Sequence, residues 1–225
     1  MNNSALVISL GGSVVVPRDV DVRFVSRFAT MIKRLSQKRR FAITCGGGAQ
    51  SRTMVRIAKK LGARRDEDLH WIGIRQTVVN SELIRIALGV RRPVMTSYSE
   101  HTRFTGNIIV AAGRKPGGTT DYCAVVLARA LGANSIINVT DVEGVYTADP
   151  DTSRHARLID RMTWKEYRRV FDRPLKPSMH APFDPAASRY AARHQLTVFV
   201  VSSNLANLRK VIAGKPFVGT TIGLS

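Results

Sequence analysis

Three glycine-rich segments of this 225-residue chain are built to hold phosphate: Gly11-Gly12-Ser13, Gly46-Gly47-Gly48 and Gly117-Gly118-Thr119-Thr120-Asp121. Glycine lets backbone N–H groups approach a ligand closely, and a helix N-terminus adds positive potential. One such turn is more often only a tight bend. Three at equivalent positions after apolar runs point to a phosphate cradle. The sequence contains no G-x-x-x-x-G-K-[ST], which excludes a P-loop NTPase, and no G-x-G-x-x-G opening a βαβ unit, which argues against a dinucleotide site. Cys45 and Cys123 stand far apart without C-x-x-C spacing. They read as small buried hydrophobes, not as a zinc site or redox pair.

The elements that must position these loops follow from periodicity. Apolar runs at 5–10, 41–45, 93–96, 107–111, 135–140 and 197–202 predict strands, and 216–222 predicts a short edge strand. Helical spacing predicts helices over 21–37, 49–61, 72–88, 121–131, 163–171, 186–194 and 205–213. Gly62, Gly89 and Gly132 read as helix stops and Thr163 as an N-cap. The stretch 141–162 is polar and turn-rich, and 173–184 is a proline-containing loop. Strand, glycine turn and helix in alternation imply an α/β fold, with a mainly parallel sheet covered on both faces. In such sheets ligands sit beyond the carboxyl ends of the strands, where these glycines are. The chain reads as a single domain, 1–225, with two lobes meeting near residue 112.

Composition sets outer bounds. At 44% hydrophobic and 23% charged residues the chain is globular rather than disordered or fibrous. No run approaches the roughly 20 apolar residues of a spanning helix. The N-terminus shows no secretory signal, and with reduced thiols this fits the cytoplasm. Lys and Arg total 35 against 16 Asp and Glu, a net charge of +19. A nucleic-acid binder and an enzyme with anionic substrates both suit that excess. Its spread along the chain, and the lack of a helix-turn-helix, RRM or zinc signature, favour the enzyme.

The most specific segment is Thr140-Asp141-Val142-Glu143-Gly144-Val145-Tyr146-Thr147-Ala148-Asp149-Pro150, directly after a strand. It resembles the nucleotide-binding segment of the amino-acid kinase superfamily. The order of motifs along the chain is similar to that of the short, archaeal-type uridylate (UMP) kinases of that superfamily. The pieces that carry the resemblance are Gly11-Gly12-Ser13, Gly46-Gly47-Gly48 with Arg52, and Trp71-Ile72-Gly73-Ile74. Pro116-Gly117-Gly118-Thr119-Thr120-Asp121 and Ala181-Pro182-Phe183-Asp184-Pro185 complete the set. The resemblance implies a three-layer α/β/α sandwich around a mainly parallel sheet of about eight strands. It implies phosphoryl transfer from ATP, with Mg²⁺, to UMP, a step of pyrimidine nucleotide biosynthesis. The acceptor would lie over the N-terminal lobe (about 1–112) and the nucleotide over the C-terminal lobe (about 113–225). The assembly implied is a homo-oligomer, a hexamer, with no membrane or nucleic-acid partner and no metal site of the protein's own.

Under that resemblance the residues take roles. Gly12 and Ser13 would donate to the transferring phosphate, and Gly47 and Gly48 would face the two substrates' phosphates. Arg52, about one turn into its helix, would fork onto phosphate oxygens where they meet; a solvated arginine is the alternative. Thr119 and Thr120 would hold the UMP phosphate or uracil edge, with Arg114, Lys115, Pro116, Gly117 and Gly118 on the same loop. Asp121 would order nearby cations or simply cap its helix. Thr140, Asp141, Tyr146 and Asp149 match the family's ATP-base and ribose contacts, and Tyr146 alternatively is core.

Two positions depart from the family. Ser9 stands where many members carry the lysine that neutralises the transferring phosphoryl, leaving Arg52, Lys115 or the metal to supply that charge. His70 stands where the family has an aspartate on the UMP ribose, and a neutral imidazole can accept one hydrogen bond at most. These departures keep open a superfamily member with another acceptor, or a non-catalytic relative that stores oxoanions.

Overall fold

The computed structural model describes residues 5–99, 102–113, 115–116, 118–171 and 181–223. Its centre is β1 (Leu6–Leu10), every residue of which is buried. Parallel to it run β2 (Phe41–Cys45), β3 (Ile108–Ala111), β4 (Ser135–Thr140) and β6 (Thr197–Ser202). The short β5 (Arg161–Met162) and β7 (Thr220–Ile222) complete a seven-stranded sheet ordered β3-β2-β1-β4-β6-β7-β5. Only the β6–β7 pairing is antiparallel.

Side-chain alternation along each strand feeds two cores, one per face. Val7, Ala42, Ile136 and Val198 face one core, built with α5 (Thr120–Ala130), α6 (Trp164–Phe171) and α7 (Pro185–Arg193). Leu6, Ile8, Ile43 and Ile137 face the other, with α1 (Gly12–Val15), α2 (Val22–Leu35), α4 (Asp66–Leu88) and α8 (Leu205–Ile212). The remaining helix, α3 (Gly48–Lys60), buries only Gly48 and packs on α4. This is the expected three-layer α/β/α sandwich.

The structure corrects several expected elements. The strand expected at 93–96 is only an isolated bridge, Met95 to Ala111. Pro93 lacks the N–H a ladder needs and the segment lies at the sheet edge, so the sheet has seven strands among the described residues rather than about eight. The expected edge strand at 216–222 is β7, an interior strand between β6 and β5. Helix α4 begins at Asp66 rather than 72, because Asp66, Glu67 and Asp68 occupy its first turn, where acids complement the helix dipole. Thr163 does cap α6: its Oγ1 accepts from Glu166 N at 3.1 Å, and its own N–H donates to Glu166 Oε2 at 2.7 Å, a capping box. Most of the loop expected at 173–184 lies outside the described residues.

Candidate active site

Strands β1 and β4 are neighbours, and the chain leaves their carboxyl ends in opposite directions, from β1 toward β2 and from β4 toward β5 and β6. Such a switch point opens a crevice. Gly11-Gly12-Ser13 follows β1, Gly46-Gly47-Gly48 follows β2, and Thr140-Asp141 follows β4, all at this edge. The first two loops touch through backbone. A Cβ on Gly12 would lie 2.2 Å from Gly48 N, and one on Gly46 would lie 2.4 Å from Gly12 N. The glycines at 12, 46 and 48 are therefore demanded by loop-on-loop packing, whatever else they do. Phosphate binding needs a second argument, and the helix starts supply it. Helices α2, α5, α7 and α8 are capped by Asp21, Thr119, Asp184 and Asn204 side chains. Helices α1 and α3, which start at these two loops, have neither a side-chain cap nor an acidic residue in the first turn. Gly12 and Ser13 at α1 and Gly48 at α3 have N–H groups with no intrahelical acceptor, while Val14 N bonds Gly11 O and Ala49 N bonds Val16 O.

Beside them lies a cavity of about 330 Å³ between α3, α4 and the N-terminus of α5. The structure brings His70, Gly118, Thr119 and Thr120 together on its wall, with Ser51, Gly73, Thr77 and Thr44. Thr77 is fixed: its hydroxyl donates to Ile74 O at 2.7 Å and accepts from Gly113 N at 3.0 Å. Gly47 adjoins the wall, since a Cβ there would meet Ser51 at 2.5 Å. Lys115 is exposed and Pro116 half-buried in the adjoining turn. Arg114 and Gly117 lie outside the described residues. Arg52 follows Ser51, is exposed, and makes no hydrogen bond or ion pair among the described residues.

Asp121 does not cap α5, contrary to one of its two expected readings. Thr119 does, accepting from Tyr122 N at 3.1 Å. The Asp121 carboxylate instead accepts from Ser9 Oγ and from Asp184 N, each at 3.1 Å. One carboxylate thereby joins β1, α5 and the start of α7. Burial, with the Asp184 charge adding to it, pushes its pKa up to about 6 despite those two donors.

On the other flank of β1, the segment after β4 folds back on itself through the Tyr146–Leu158 bridge. Thr140 donates to Asp141 at 3.0 Å, Tyr146 donates to Glu143 at 3.1 Å, and Asp149 accepts from Asp151 N at 3.0 Å. Val145 N docks the segment onto Thr220. None of Thr140, Asp141, Tyr146 or Asp149 lines the cavity beside α4, so the two groups of expected contacts occupy separate flanks of the crevice. Sequence reasoning missed Ser51, Thr77 and Thr44. Ser51 and Thr77 carried a signal, standing one turn or less from motif residues. Thr44 sits inside an apolar run and looked like an ordinary strand residue.

Residues 4–202 match the model of the amino acid kinase family. The chain is 32% identical over 201 residues to a uridylate kinase of Methanococcoides burtonii, spanning 87% of this chain and 85% of that protein. It is 34% identical over 215 residues to a uridylate kinase of Methanothrix thermoacetophila, spanning 93% and 95%. A crystal structure of uridylate kinase from Archaeoglobus fulgidus superposes with a TM-score of 0.85 at 29% identity, covering 96% of this chain and 99% of that one.

Proposed function

The chain belongs to the amino acid kinase family, and from that premise we propose that it transfers the γ-phosphoryl group of ATP to UMP, giving UDP. The observation that carries this reading is the pair of uncapped helix N-termini meeting at the switch point, with a neutral cavity on one flank and the folded-back segment after β4 on the other. Full-length relatives named as uridylate kinases support the choice of acceptor.

Phosphoryl transfer asks a protein mainly for positioning and charge stabilisation. UMP fills the cavity beside α4, its phosphate toward α3, where Gly47, Gly48 and Arg52 meet it. Gly12 and Ser13 donate to the transferring group. ATP lies along Thr140, Asp141, Tyr146 and Asp149. Asp121 holds β1, α5 and α7 in register and so fixes Thr119 and Thr120 against the acceptor. Among the described residues no three His, Cys, Asp or Glu side chains cluster as a metal cage. That donor set fits Mg²⁺ carried by nucleotide phosphates, with at most one or two protein carboxylates near it. When bound, the ion neutralises charge on the phosphates.

Among the described residues no helix is long and apolar enough to cross a membrane; we place the enzyme in the cytoplasm with its nucleotides. It works as a homo-oligomer. Met54, Ile57 and Leu61 at α3, and separately Val79, Leu83 and Ile86 on α4, are exposed apolar residues at helical spacing. Patches of that kind are typical of subunit contacts. A hexamer is the assembly implied by resemblance.

The test is a nucleoside-monophosphate panel with Mg-ATP, following ADP release. UMP is expected to turn over faster than CMP, AMP or GMP, and faster turnover of any of the others would reject the assignment. Phosphate retention without ADP release would favour oxoanion storage instead. A second expected result concerns His70, which lines the cavity at an exposed position. His70→Asp adds a carboxylate able to accept from both ribose hydroxyls, so KM for UMP should fall several-fold with kcat nearly unchanged. A KM that stays or rises would mean that residue 70 does not face the ribose.

A further inference from the structure

Beneath the acceptor cavity the fold leaves one hydroxyl unpaired. Thr44 is 1% exposed, lines the cavity, and carries the one buried side-chain oxygen or nitrogen among the described residues with no hydrogen-bond partner. Its neighbours in the sheet offer nothing to it. Ser9, paired with it on β1, donates to Asp121, and the carbonyl of Ala111, opposite on β3, accepts from Ser81. The other cavity hydroxyls are different. Thr77 and Thr119 are bonded within the protein, while Ser51 and Thr120 are half-buried and within reach of water. A strand interior favours valine, which would fill the same volume at no desolvation cost. A threonine held there unpaired is best explained by a partner that arrives with the ligand.

The surroundings indicate which part of the ligand that is. Cys45, Val55, Leu69, Ile74, Ala112 and Cys123 make the wall largely apolar, and none of the described lining residues is Lys or Arg. His70, exposed at the mouth, is the one lining side chain able to carry positive charge. A phosphate has no counter-charge at that depth, whereas a flat neutral ring with polar edges suits it. We propose that Thr44 is the base-reading residue of the acceptor site: its Oγ–H donates to a ring carbonyl of the pyrimidine seated in the cavity. This rests on the assignment of UMP as acceptor. A hydroxyl can also accept from an exocyclic amino group, so Thr44 contributes affinity for the ring, not discrimination of uracil from cytosine.

The test compares Thr44→Val and Thr44→Ser with the wild type. Thr44→Val removes an unpaired buried hydroxyl, so the unliganded variant should melt at or above the wild-type temperature. Its KM for UMP should nevertheless rise about tenfold, the loss of one hydrogen bond, with kcat within two- to threefold. Thr44→Ser should keep KM within about threefold of wild type. Ribose 5-phosphate, which lacks the base, serves as the control inhibitor, and its inhibition constant should not change in Thr44→Val. An unchanged KM for UMP in Thr44→Val would overturn the proposal. A rise in the ribose 5-phosphate constant parallel to the rise in KM would also overturn it, placing the contact on the sugar or phosphate. A wild-type enzyme inactive on UMP would instead reject the acceptor assignment itself.

Discussion

Replacing Arg52 by alanine is expected to lower kcat on the order of 10³-fold while leaving the melting temperature of the free protein unchanged. The argument begins at Ser9. Many members of the superfamily, though not all of its short-form UMP kinases, carry a lysine there, and here the position holds a hydroxyl that donates to Asp121. The described lining of the acceptor cavity contains no Lys or Arg. Something must still stabilise the charge that spreads over the transferring phosphoryl oxygens. The uncapped start of α3 supplies backbone donors but only a fraction of a charge. Arg52 is one turn along the same helix, exposed and uncommitted to any ion pair among the described residues. Its removal therefore breaks no native contact, which is why the fold should not respond. Arg52→Lys should recover only part of the rate, because an ammonium cannot make the two parallel bonds of a guanidinium fork. Steady-state kcat for both variants, with thermal melts alongside, decides the matter. A folded Arg52→Ala enzyme within a few-fold of wild type would take Arg52 out of the reaction and pass its role to Lys115 or to Mg²⁺.

Sequence patterning told which segments are strands and helices better than it told where they lie. Leu6–Leu10 and Phe41–Cys45 are legible because parallel strands buried on both faces read as continuous apolar runs. Gly62, Gly89 and Gly132 are legible as helix stops, and each has positive φ, at 95°, 66° and 64°. The position of 216–222 inside the sheet is not local information, since it depends on β5, a two-residue strand with no pattern of its own. At the site, the glycine loops were found for a partly different reason from the one inferred. Their glycines let two backbones touch, and it is to the uncapped helices behind them that we assign the phosphate contacts. Asp121 and Ser9 stand 112 positions apart, so no spacing rule could pair them.

That pairing leads to the other large effect. Asp121→Asn is expected to reduce kcat at neutral pH by about two orders of magnitude, ~2.7 kcal/mol in the barrier, and to remove an acid limb centred near pH 6. The carboxyl group titrates at about 6 instead of its ordinary 3.8 because burial disfavours its charged form. In the ionised state it accepts from both Ser9 and Asp184 N. A proton on the oxygen that faces Asp184 N sets donor against donor, and protonation of either oxygen removes the charge that strengthens both bonds, loosening the link between β1, α5 and α7. Activity should therefore rise with pH through about 6 in the wild type. Stability should run the other way. The folded protein binds this proton more tightly than the unfolded chain, so the group's contribution is full below 3.8 and is lost as pH climbs to about 6. Melting curves at pH 4 to 8 should show that downward component in the wild type and not in Asp121→Asn. The opposition of the two trends is the useful signature. The UMP phosphate also titrates near this range and can produce an acid limb in kcat. It is not expected to reproduce the matched loss of the stability component in a single variant. An acid limb that persists in Asp121→Asn would assign it to a group other than Asp121 and leave Asp121 a purely structural link.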